Sequence, residues 1–161
     1  MGWRCGVCGD AITRIEDGWV EWLAGEDEHG NAESRGLRLV HALAVSPRGS
    51  EGHGCQYDER REFRRDQSVV EGLSLERFVG PDGLMMLLSL IAADEVPRDE
   101  LVELAKRVQI PGYEQARELI PKAIAEGVME PSIGTGYYLQ SEIQSVLRWR
   151  ASVAECSREP G

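Results

Sequence analysis

The sequence has no long apolar run. Its longest, Leu84 to Ala93 broken by Ser89, falls well short of the roughly 20 residues needed to cross a bilayer, so no membrane span is expected. Met1-Gly2-Trp3-Arg4-Cys5 does not open into the apolar stretch of a signal peptide, and the expected location is the cytoplasm. Positive charge is scarce, with 18 Lys and Arg against 28 Asp and Glu and a net charge of -10. That balance repels nucleic-acid phosphates and anionic membranes at long range, so the global charge favours a protein partner. Any nucleic-acid contact would need a local basic patch. Cysteine is scarce too: four thiols in a reducing compartment are better suited to metal binding than to a disulfide framework, and Cys156 stands apart from the rest. The sequence also carries no internal repeat, phosphate loop, nucleophile-base pair or His-Glu-x-x-His helix, and it lacks the His-x-Glu with Pro-Cys-x-x-Cys of nucleobase deaminases. These absences argue against an enzyme.

What is present divides near residue 77. The expected organisation is α+β: a small β-hairpin module with a charged arm over 1–77, a mainly helical domain over 78–153, and a polar tail over 154–161. In the first part, "DGWVEWLA" (17–24) alternates Val20 and Trp22 against Trp19 and Glu21, the period of a half-buried strand. "RGLRLVHALAV" (35–45) places Leu37, Leu39, His41, Leu43 and Val45 on one face of a second strand. "GEDEHGNAES" between them reads as a polar loop, which completes a hairpin. "SPRGSEGHG" (46–54) reads as a further loop, and "CQYDERREFRRDQ" (55–67) as a short charged helix or extended arm.

The "CGVCG" turn brings Cys5 and Cys8 to one point, and the hairpin can carry further ligands back toward them. Tetrahedral zinc needs four ligands, and His41 on the apolar strand face and Cys55 in a loop complete the set best. His53 in "HGC" competes with His41, and His29 is more remote. Over about residues 3–60 this stretch resembles the knuckle of zinc-ribbon and treble-clef modules, whose glycines let backbone amides turn toward sulfur. It departs from them in its second half, where a His and a Cys replace another Cys-x-x-Cys. Four protein ligands would close the site, which implies structural Zn2+ rather than a catalytic ion. A dithiol redox enzyme is the remote alternative. It is disfavoured because no βαβ unit surrounds the pair.

In the second part, helices are expected after Gly80-Pro81-Asp82, over 97–110 and over 114–127, with Pro121 kinking the third. The first of these is apolar nearly all round and is expected at the centre of a core. Two short strands joined at Gly134-Thr135-Gly136 follow, then a last helix opened by a Ser141/Gln144 capping box. In this order of elements residues 81–153 resemble a winged helix-turn-helix domain, a fold that binds DNA in some proteins and other proteins elsewhere. The third helix mixes Glu114, Glu118 and Glu126 with Arg117 and Lys122, which disfavours DNA reading. The remaining basic feature is Arg60, Arg61, Arg64 and Arg65, interleaved with Asp58, Glu59, Glu62 and Asp66 and expected to form a solvated, self-neutralised face. An exposed Phe63 or Tyr57 beside these arginines would favour nucleic-acid contact instead. The functional expectation is a non-enzymatic, zinc-stabilised regulatory or adaptor protein. A nucleic-acid-binding regulator is the alternative.

Overall fold

A computed structural model describes residues 2–49 and 52–156. The fold is α+β, with small antiparallel sheets, and it divides into two compact units, 1–109 and 110–161. In the first unit, strands β1 (Trp3–Arg4) and β2 (Ala11–Ile12) pair around the Cys5–Cys8 turn. Strands β3 (Gly18–Glu26), β4 (Ala32–His41) and β5 (Val69–Ser74) form a second sheet in the order β4-β3-β5. Helix α1 (Glu59–Asp66) lies between β4 and β5 in sequence, and its N-cap Asp58 accepts the Arg61 amide at 3.1 Å. Helices α2 (Gly80–Ala93) and α3 (Arg98–Gln109) complete the unit.

The hairpin forms where the sequence places it, but its turn is shorter than the polar segment 25–34. Pairing runs on to Glu26 opposite Ala32, because the Asp27 carboxylate accepts the amides of His29 and Asn31 and closes a tight turn. β4 ends at His41, and residues 43–45 form a 3-10 turn, so Leu43 and Val45 do not extend the strand face. Strand β5 was not expected from the sequence. By pairing along the other edge of β3 it makes β3 the central strand, and Val20, Glu21, Trp22 and Leu23 are all buried. The simple alternation expected for a half-buried strand is therefore lost. A register shift between Glu21 and Leu23, opposite Gly36 in a left-handed conformation, sets Glu21 directly across from Arg38.

Helices α2 and α3 pack with the sheets in the first unit, which runs to residue 109 and so past the boundary expected at 77. The Ser34 amide donates to the Glu95 carbonyl at 2.8 Å, the Leu37 amide to the Glu100 carboxylate at 2.8 Å, and the Trp3 indole to the Arg107 carbonyl at 3.2 Å. Phe78, Leu87, Leu101 and Leu104 share one core with Ile12, Val20, Leu39, Cys5 and Cys55. The helices thus supply apolar surface that the small sheets lack. α2 is not central to that core: it buries Gly83 and Leu87, while Leu84, Met85 and Leu88 are 43%, 66% and 50% exposed.

The second unit comprises α4 (Tyr113–Ala116), α5 (Ile120–Ala125) and α6 (Gln140–Cys156) around Tyr113, Ile120, Met129, Ile143 and Val146. The helix expected over 114–127 is split, with Pro121 in the first turn of α5. The two strands expected over 128–140 reduce to a single bridge, Gly134 with Tyr137. The expected helix–helix–helix–hairpin–helix order is thus recognisable, but its first two helices pack in the other unit. At the start of α6, Glu142 rather than a Ser141/Gln144 box satisfies the free donors, accepting from the Leu139 amide and from the Ser132 amide and hydroxyl. α6 runs through 154–156, where a tail was expected, while residues 157–161 and the Cys156 side chain lie outside the described residues.

Candidate metal centre

The Cys5–Cys8 turn is held by its own backbone. The Cys5 amide donates to the Asp10 carbonyl at 2.9 Å and the Gly9 amide to the Cys5 carbonyl at 3.1 Å, with Gly9 at φ +81°, a conformation glycine adopts without strain. The Gly6 amide donates to the Leu39 carbonyl at 2.8 Å and so fastens the turn to β4 two residues before His41. Cys55 arrives from the segment between β4 and α1, and the Ser46 hydroxyl donates to its sulfur at 3.1 Å.

One ligand atom from each of Cys5, Cys8, His41 and Cys55 lies within 4.8 Å of the others, so these four residues are close enough to hold a metal ion. Cys5, Cys55 and His41 are buried and Cys8 is half-buried. Metal-sulfur bonds of about 2.3 Å in a tetrahedron put sulfurs about 3.8 Å apart, and a sulfur-nitrogen edge is slightly shorter. The Cys8 sulfur is 3.5 Å from His41 Nδ1, close to that spacing. His41 Nε2 lies 3.3 Å from the Ala11 carbonyl. A proton on Nε2 donates to that carbonyl and leaves the Nδ1 lone pair directed at the cluster, the usual way a backbone acceptor fixes a ligand tautomer.

The thiols are unequal. Burial pushes the Cys5 thiol up, but the amides of Cys8, Val7 and His41, with the His41 side chain, outweigh it and bring Cys5 down to about 6. Burial raises Cys8 to about 11, with the Cys5 and Cys55 sulfurs adding to the rise against the Asp10 amide. Crowded thiols that resist simultaneous ionisation fit a cation, whose charge would remove that penalty.

The ligand set expected from the sequence is thus brought together. The competing histidines are not part of it: exposed His53 places Nδ1 2.7 Å from the Gln56 carbonyl, and His29 sits beside Glu28 on the hairpin turn. His41→Ala should therefore abolish stoichiometric metal uptake, while His53→Ala and His29→Ala leave it unchanged by elemental analysis. The reverse ranking would place the ligand in the "HGC" segment.

Glu21 enters the sequence pattern only as part of the strand's alternation. Its side chain is fully buried and accepts Arg38 Nε at 2.8 Å and the Tyr57 amide at 3.0 and 3.1 Å. Burial raises its pKa above the ordinary carboxylate range, against the Tyr57 amide and Arg38, which lower it. A charged residue at the midpoint of an apolar strand pattern was the available signal.

The arginines lie on α1, where Arg61 and Arg65 pair with acids of the same helix as expected and Arg60 and Arg64 do not. Glu62 is buried and paired with Arg65, Asp66 pairs with Arg35 and Arg65, and Asp58 caps the helix. Arg60 and Arg64 make no ion pair among the described residues. They flank Phe63, which is 57% exposed, on the outer face of the helix. Tyr57 instead stacks under Arg38. In the second unit, the Glu114 side chain is 6% exposed and paired with Arg117 at 3.0 Å, whereas the Glu118 side chain is 52% exposed.

No protein-family model, curated protein or solved structure matches the chain. Among the described residues no helix is long and apolar enough to cross a membrane.

Proposed function

We propose that this protein is a non-enzymatic adaptor or regulatory protein that binds a protein partner, with Zn2+ in a structural role at Cys5, Cys8, His41 and Cys55. The donor set supports zinc over harder ions: three sulfurs and one imidazole nitrogen suit a tetrahedral, borderline-soft cation, and four protein ligands leave no position for a reacting water. The observation that carries the partner reading is the outer face of α2. Leu84, Met85 and Leu88 repeat at helical spacing and stand exposed on a chain that is otherwise densely charged. A contiguous apolar stripe of this kind marks an interaction surface more often than a scatter of single residues does.

A second reading is favoured by the exposure of Phe63 between Arg60 and Arg64, an aromatic beside guanidiniums able to stack on a base. With Arg61 and Arg65 it would form a small nucleic-acid contact, opposed by the net charge of -10.

One experiment separates the two. The full chain is used to capture partners from its native cell, with and without nuclease, as wild type, Leu84→Asp/Leu88→Asp and Arg60→Ala/Arg64→Ala. A protein recovered despite nuclease and lost only with the α2 variant supports the adaptor. Recovery abolished by nuclease or by the arginine variant, and untouched by the α2 variant, would replace it with the second reading.

A further inference from the structure

Three of the four cluster ligands are set by paired backbone. Cys5 and Cys8 sit in the turn between β1 and β2, and His41 ends β4 opposite Gly18. Cys55 lies outside any strand or helix, so its position needs another cause. The segment from Cys55 to Tyr57 is tied to the sheet at several points. The Tyr57 amide donates to both oxygens of Glu21, at 3.0 and 3.1 Å. Arg38 Nε donates to the same carboxylate at 2.8 Å, while another nitrogen of that guanidinium lies 3.4 Å from the Cys55 carbonyl. The guanidinium stacks 3.5 Å over the Tyr57 ring, and the Tyr57 hydroxyl donates to the Gly36 carbonyl at 2.9 Å.

Glu21 is the hub of this arrangement. A fully buried carboxylate on a central strand is expensive, and an apolar residue of similar size would usually serve stability as well or better. Every hydrogen bond that compensates Glu21 comes either from the segment carrying Cys55 or from the arginine that also reaches that segment. We infer that Glu21 is a positioning residue for the metal centre: through Arg38 and the Tyr57 amide it clamps residues 55–57 to the sheet and delivers Cys55 as the fourth ligand. The clamp rests on the reading of the cluster as a metal site, and it adds that a residue touching no ligand atom sets the number of thiolates bound. Without it the centre keeps Cys5, Cys8 and His41 and exposes one exchangeable position.

The test uses the full chain with Co2+ as the probe, since cobalt reports coordination optically. Wild type should show tetrahedral d–d bands and the sulfur-to-metal charge-transfer intensity of three thiolates. Glu21→Gln keeps the shape of the side chain but loses its charge and one acceptor oxygen. It should retain the wild-type far-UV circular dichroism while its charge-transfer intensity falls from three thiolates toward two, matching Cys55→Ser. Its Co2+ affinity by chelator competition should fall about 10- to 100-fold, the range for lost outer-sphere partners of a metal ligand. Tyr57→Phe keeps the amide that contacts Glu21 and should retain the three-thiolate spectrum. Should Glu21→Gln fail to fold, Arg38→Lys decides, because an ammonium cannot span Glu21 and Cys55 while stacking on Tyr57. Three-thiolate intensity and wild-type affinity in the folded variant would overturn the clamp and leave the metal site standing. Wild type that takes up no tetrahedral Co2+ would overturn the site itself.

Discussion

Replacing Cys5 or Cys8 with Ser should abolish stoichiometric metal binding and unfold most of residues 2–109, while the helices of 110–156 persist. Cys5 is 2% exposed and belongs to the same core as Ile12, Val20, Leu39, Phe78 and Cys55, so the ligand cluster is part of the apolar core and not an appendage to it. β1 and β2 are two residues each, so the Cys5–Cys8 turn rests on a few backbone hydrogen bonds, and a two-stranded pair of this length is marginal on its own. Structural zinc supplies about 10 to 16 kcal/mol of apparent binding free energy, available only to the folded chain. A whole domain is usually stable by only about 5 to 15 kcal/mol, so losing this term is enough to reverse the balance. The second unit has its own core around Tyr113, Ile120 and Ile143 and has no ligand in the cluster. Elemental analysis with hydrogen exchange resolved along the chain checks both halves of this expectation. Native protection across β3 and β4 in a metal-free Cys8→Ser protein would show that the core stands alone.

The four clustered residues were legible in the sequence because their chemistry is local. Two cysteines three apart between glycines form a turn whatever surrounds them, and period-two alternation put His41 on the inward face of its strand. Cys55 was legible only as a thiol in a loop free to approach the others, since its position depends on Glu21 and Arg38, which become neighbours through strand register and a bulge. β5 was missed for a similar reason. "VVEGLS" is short, and Gly72 interrupts it at the point where it passes beneath the Trp19 ring, a close approach that only the paired sheet reveals. The unit boundary was misplaced because the composition changes at residue 77, whereas the core does not. Apolar helices after a charged segment read as a new domain until Leu87, Leu101 and Leu104 are seen beside Leu39. The uneven pairing on α1 was also hidden: counting arginines against carboxylates gives near neutrality, but burial of Glu62 and the use of Asp66 by Arg35 leave Arg60 and Arg64 without an ion pair among the described residues.

Gly83→Ala should be among the most damaging single substitutions away from the ligands, and its cost should depend on metal. A β-carbon at Gly83 would run into the backbone of Phe78, its carbonyl carbon and oxygen and its α-carbon, none of which can swing aside as a side-chain tip could. Relief requires α2 to move off the 3-10 turn of residues 75–78, which carries the fully buried Leu75 and Phe78. Overpacking of this kind costs about 1 to 3 kcal/mol, more where the obstacle is backbone. Gly80→Ala is the control at the same helix end: it lies at φ +70° with open space around it, so it should lose only about 1 kcal/mol for the conformation. Phe78 and Leu75 share their core with Cys5 and Cys55, so strain at Gly83 acts on the core that carries the candidate metal site. Zn2+ stabilises only the folded form and should offset the damage, so the melting temperature of Gly83→Ala should lie below that of wild type and rise with free Zn2+. As free Zn2+ is lowered, the variant should be the first of the three proteins to lose cooperative melting of residues 2–109. Equal melting of Gly83→Ala and Gly80→Ala at every Zn2+ concentration would mean that α2 is free to slide and that its contact with Phe78 contributes nothing to the stability of this unit.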